Sequence, residues 1–202
     1  MSLPSSSDVL FDVGCGDGRV LARCWGETEC RRMVGVEVDE GRAEEARANT
    51  KGLEGVEIVC GNAMEVNTRE ATVVFLYLVP RGLRIYVPVL LGHFLDRVKK
   101  EGEGATLKVC TYMSPIPGAG GSLVEKRVVE VEHQEGARWP VYYYLFSGEG
   151  AREVLGGGGG AKGGTTTTTT TTTTGGGMFA AVTVVVTIVA VVALKKLKAR
   201  KM

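Results

Sequence analysis

Phe11-Asp12-Val13-Gly14-Cys15-Gly16-Asp17-Gly18 (FDVGCGDG) is the stretch that decides the fold. A short apolar run, Asp8 to Val13, leads into three glycines at alternate positions, and a helix-like stretch follows from Arg19 through Trp25. Strand, glycine turn and helix in that order bring backbone N–H groups and a helix N-terminus against a ligand, with glycine permitting tight turns and close backbone approach. Spacing then discriminates among nucleotide loops. A GxGxxG dinucleotide fingerprint beginning at Gly14 needs its third glycine at position 19, where Arg19 stands. The loop reads GxGxG instead, and a dehydrogenase ranks last among the readings.

Outward from the loop, Met33 to Val38 (MVGVEV) is a second apolar run that brings Glu37 and Asp39 about twenty residues past the glycines. A carboxylate at the end of a second strand can accept both hydroxyls of a ribose. Glu40 to Asn49 is helical in composition, and Val56 to Val59 is a third short strand leading into Gly61-Asn62-Ala63. An amide there can hydrogen-bond an adenine edge while Ala63 and Met64 pack on its face. A fourth strand, Ala71 to Leu78, ends in Val79-Pro80, and an apolar-rich helix runs from Leu83 to Lys99. Alternation over Ser122 to His133 and again over Trp139 to Phe146 predicts a closing antiparallel hairpin. The sum is an α/β domain with an adenosine ligand.

FDVGCGDG, VGVEVDE and VCGNAMEV, in that order and spacing, resemble the first three motifs of class I S-adenosylmethionine-dependent methyltransferases, over about Asp8 to Phe146. The resemblance implies a Rossmann-like seven-stranded sheet and S-adenosyl-L-methionine as cofactor. It implies that Asp12 contacts the methionine amino end through the loop, that Gly14, Gly16, Asp17 and Gly18 form the turn around it, and that Glu37 binds the ribose hydroxyls. Asn62 and Ala63 would flank the adenine, although many family members carry Asp where this chain has Asn62. Relatives also have helices before the first strand, which only seven residues precede here.

The end of the fourth strand is where these enzymes place the acceptor. Those acting on DNA, glutamine or adenine amino groups often carry an Asn/Asp-Pro-Pro-aromatic motif there; this chain has YLVP. Tyr77-Leu78-Val79-Pro80 and the later Cys110-Thr111-Tyr112-Met113-Ser114-Pro115-Ile116-Pro117 are instead similar to segments of the mitochondrial ATP synthase c subunit lysine methyltransferase-like family. That resemblance implies a protein-lysine substrate, with Tyr77, Pro80 and Tyr112 at the acceptor. A tyrosine there could hold a methylated cation by its ring face. Alternatives are a small-molecule or lipid methyltransferase and a non-catalytic S-adenosylmethionine-binding scaffold.

Residues 1–150, the expected methyltransferase domain, hold 17 Lys+Arg and 22 Asp+Glu, a net charge of 17 − 22 = −5; the remainder holds 7 and 1, net +6. An acidic head argues against a nucleic-acid partner. Five cysteines without a CxxC pair and only two histidines, His93 and His133, argue against a disulfide framework and a zinc site. Residues 151–177 read as a Gly/Thr-rich linker, built on Gly156–Gly160 and Thr165–Thr174. Met178 to Leu194 is 17 residues without a charge, expected to form a transmembrane helix, and 195–202 is a basic tail. The expected location is therefore a membrane, with one C-terminal span, the head on the reducing side, a mitochondrial address in view and a membrane-associated substrate.

Overall fold

The structure, a computed structural model, describes residues 4–130 and 137–157. Seven strands form one sheet: β1 (Val9–Val13), β2 (Arg32–Glu37), β3 (Val56–Cys60), β4 (Val73–Leu76), β5 (Leu107–Tyr112), β6 (Leu123–Glu130) and β7 (Arg138–Phe146), in spatial order β3-β2-β1-β4-β5-β7-β6. The first five run parallel, and β7 enters antiparallel between β5 and β6. β1 and β4 are short apolar runs because both faces of the central sheet are covered. Helices α1 (Arg19–Glu27) and α2 (Glu40–Asn49) supply Val20, Leu21 and Ala46 to one face, against Leu10, Met33 and Phe75. α3 (Pro80–Glu101) and α4 (Gly148–Gly156) cover the other with Leu83, Leu90, Phe94 and Ala151, against Phe11, Val34 and Val109. On α3 the buried residues Leu83, Tyr86, Val87, Leu90, Leu91, Phe94 and Val98 keep the three- and four-residue spacing of a core-facing stripe.

Two expectations are corrected. The expected transmembrane helix is not among the elements of the described residues: no helix there is long and apolar enough to cross a membrane, and 178–194 lies outside them, as do the basic tail and His133. The packed domain also continues past residue 150, where a linker is expected. Ser147 caps α4 by accepting from the Gly150 N–H at 3.2 Å, and Ala151 is wholly buried. Gly150, just before the expected linker, serves close packing, since a Cβ there would lie 2.6 Å from Ser122 Oγ. The rest of 151–177 lies beyond Gly157 and outside the described residues.

Candidate active site

The loops leaving the carboxyl ends of β1, β2 and β3 form one continuous arc. Gly14, Gly16 and Gly18 have φ of 78°, 58° and 74°, the left-handed region that a side chain disfavours, which is why the loop alternates glycine with other residues. The Gly14 and Cys15 N–H groups both donate to Val36 O, at 2.8 and 3.0 Å, turning the loop toward β2. Gly18 ends it at α1, where a Cβ would come within 3.1 Å of Ala46 on α2. The Asp17 carboxylate binds the Arg19 guanidinium, with Nε at 2.7 Å from Oδ2, and its carbonyl accepts from Asn49 Nδ2 at 2.9 Å. Asp17 therefore fastens the loop to both helices. Asp12 is buried at the end of β1 beneath it.

Glu37 closes the arc. Its Oε2 accepts from the Gly16 N–H at 2.8 Å, and its Oε1 accepts from the N–H groups of Val38 and Asp39 at 2.9 and 3.1 Å. Its carbonyl accepts from the Gly61 N–H at 2.8 Å, drawing in the third loop. There Asn62 Oδ1 accepts from the Met64 N–H at 3.0 Å, so the amide sits exposed on a tight turn beside the half-buried Ala63. All eight residues expected at a cofactor thus lie along one edge of the sheet. Val38 and Met64 are 73% and 38% exposed on the flanking loops. Large apolar side chains left open beside a carboxylate and an amide suit a flat, polar-edged ligand such as a nucleoside base, so the residues present fit an adenosine cofactor.

The residues expected at the acceptor also converge. Register pairs Leu76 of β4 with Thr111 of β5, so Tyr77 and Tyr112 follow side by side, with ring centroids 5.2 Å apart and planes at 69°. Tyr112 is buried and its hydroxyl is pushed up to about 12, by burial first and by Tyr77 second. Pro80 opens α3 at its first turn, where its missing N–H has no helical partner to lose. Met113, just past β5, is a non-glycine residue with φ of 70°, and its N–H donates to Pro140 O at 2.8 Å.

Three supporting residues escape sequence reasoning. Gly35, in mid-strand β2, has no room for a side chain, as a Cβ would meet Leu21 Cδ1 at 2.6 Å and Cys15 Sγ at 2.8 Å. A lone glycine inside a strand is the available signal. Val38 stands next to Glu37 as an apolar residue before a polar helix start, and Asn49 holds the loop from 32 residues away with no local mark. His93 belongs elsewhere. Its Nδ1 accepts from Thr68 Oγ1 at 2.9 Å, tying the helix-free crossover between β3 and β4 to α3. Burial and then Arg69 lower its pKa.

A family model described as a methyltransferase domain matches residues 10–100. A protein-lysine N-methyltransferase of Saccharolobus islandicus (strain REY15A) is 42% identical over 77 residues, 37% of this chain and 48% of that protein. The chain thus spans about half the length of this curated relative. The crystal structure of an RNA methyltransferase from Salinibacter ruber, in complex with S-adenosyl-L-homocysteine, is 29% identical; it aligns over 70% of this chain and 82% of that one, with a TM-score of 0.54.

Proposed function

We propose that this chain, which carries a class I S-adenosylmethionine-dependent methyltransferase domain, methylates the side-chain amine of a protein lysine. The observation that carries the lysine reading is the Tyr77–Tyr112 corner at the carboxyl edge, in a chain similar over 77 residues to a protein-lysine N-methyltransferase. S-adenosylmethionine supplies an electrophilic methyl group on a sulfonium. Every other task falls to the chain. Glu37 accepts the ribose hydroxyls, Asn62 faces the adenine edge with Ala63 alongside, and Asp12 with Gly14, Gly16, Asp17 and Gly18 shapes the seat of the methionine end.

Tyr77, half-buried, packs at a steep angle against the buried Tyr112, which holds the Tyr77 ring at the sheet edge to take an alkylammonium by cation–π attraction. Tyr112 stays neutral across the working pH range, so it offers no charge to trap the ammonium form. The amine gives its proton to water before it attacks. Alignment of the amine with the methyl group then supplies most of the acceleration, because the leaving group needs no activation. Pro80 fixes the direction in which the chain leaves this corner.

An RNA acceptor is the second reading, favoured by the Salinibacter relative. Against it stands the net charge of −5 over residues 1–150. The test is transfer of labelled methyl from S-adenosylmethionine by the full chain, offered a lysine-rich protein and a transcript side by side. Label in acid-hydrolysed methyl-lysine supports the proposal, and label confined to RNA overturns it. Tyr77→Ala and Tyr112→Ala should each lower kcat by about tenfold or more, on the scale of losing one cation–π contact and its alignment.

A further inference from the structure

The first two turns of α3 carry an exposed face that none of these roles uses. Arg81, Arg84, Ile85 and Pro88 are all exposed and recur at three- and four-residue spacing, so they share one side of the helix. Val79, just before the helix, is 70% exposed and Ile85 is 50% exposed. From Pro80 to Leu95 the helix has two arginines and no carboxylate. Among the described residues neither arginine makes an ion pair. The far end of the same helix differs, for Asp96 binds both Arg69 and Lys99, at 2.7 and 2.9 Å, and Arg97 faces Glu101. The unpaired face begins at Val79-Pro80, directly beside the Tyr77 corner.

We propose that this face docks an acidic, partly aliphatic segment of the protein substrate next to the target lysine. Arg81 and Arg84 take its carboxylates, while Val79 and Ile85 take its aliphatic side chains. The inference rests on the lysine reading and adds to it a rule of substrate choice. Charge complementarity argues for this occupant: two arginines without carboxylate partners, interleaved with large apolar side chains, match a peptide that offers both kinds of group. A phosphate backbone would satisfy the arginines and leave the apolar pair in water.

The test uses the full chain and three peptides with a single lysine each, flanked by glutamate and leucine, by glutamine and leucine, or by arginine and leucine. The wild type should show a KM about tenfold lower for the glutamate peptide than for the glutamine peptide, a difference of about 1.4 kcal/mol, with similar kcat. Added salt should shrink that gap. The double variant Arg81→Glu/Arg84→Glu should invert the preference toward the arginine peptide while keeping wild-type kcat on the glutamine peptide. Its affinity for S-adenosyl-L-homocysteine, equal to wild type, certifies folding, and Arg81→Gln/Arg84→Gln should erase the preference without inverting it. Equal KM values for all peptides in the wild type overturn this inference and leave the lysine reading standing. Methylation of no peptide, with label instead entering a transcript in a way the double variant abolishes, overturns both.

Discussion

The two edges of the parallel sheet are built on opposite plans. At the amino edge, charge is spent on the chain itself. Asp8 accepts from Thr72 Oγ1 at 2.7 Å, from Lys108 Nζ at 3.1 Å and from the Ser5 N–H at 2.8 Å, joining the starts of β1, β4 and β5. Buried Arg97 reaches from α3 to the carbonyls of Ala71 and Thr106, just ahead of β4 and β5, and Arg32 binds Glu57 and Glu70. At the carboxyl edge the loops are held by backbone hydrogen bonds and by the Glu37 and Asp17 carboxylates, Val38, Met64 and Val79 stay exposed, and among the described residues Arg81 and Arg84 of α3 make no ion pair. One edge serves stability and the other is left free to bind, which is how open α/β sheets separate scaffold from site.

The sharpest way to break that division is Glu37→Ala. Removing two charge-assisted hydrogen bonds to a ligand should weaken S-adenosyl-L-homocysteine binding by about a hundredfold or more in calorimetric titration. Arg97→Met is the mirror experiment. It strips the buried Ala71 carbonyl and the part-buried Thr106 carbonyl of their donor, so stability in urea should fall by about 2 kcal/mol while cofactor affinity holds. If binding fell in step with stability, the two edges would be coupled and the division wrong.

Asp8→Asn sharpens the same contrast through pH. Burial pushes the Asp8 carboxyl up, but hydrogen bonds from Ser5, Thr72 and Lys108 together with the Lys108 charge outweigh it, and the net shift is downward. A lowered carboxylate adds stability above its unfolded pKa of about 3.9, and that stability is lost as pH falls through the lower folded value. The wild type should therefore exceed Asp8→Asn by about 1 kcal/mol at pH 7, with the gap closing in strong acid, as read from urea midpoints.

The smallest expected effect belongs to His93. Its pKa is lowered, so the neutral ring that accepts from Thr68 contributes stability above the unfolded value of about 6.5, lost as pH drops through the lower folded value. His93→Gln should flatten the decline in melting temperature below pH 6.5 without changing the affinity for cofactor. A change in affinity would make the helix-free crossover part of the site.

How far the sequence discloses this plan follows from sequence separation. The carboxyl edge is legible because each of its loops is local: the glycines of FDVGCGDG carry their own φ requirement, and Glu37 and Asn62 stand at the ends of strands marked by their own apolar runs. Even the Tyr77–Tyr112 corner needs only the assumption that neighbouring parallel strands end level. The amino edge is illegible for the opposite reason. Asp8 and Lys108 lie 100 residues apart, and nothing in either neighbourhood marks the pair. α4 is hidden differently, since its end at Gly156 opens the glycine run that reads as linker, while Gly150 within it is selected by tertiary packing, a Cβ there lying 2.6 Å from Ser122 Oγ.

Glu37 is held by three N–H groups within its own chain. A free glutamate gives up as much as ~2 kcal/mol of rotamer entropy when a ligand immobilises it. Folding has already fixed this one, so the ribose proposed to bind there would meet a carboxylate whose freedom is spent, and association need not supply that ordering a second time.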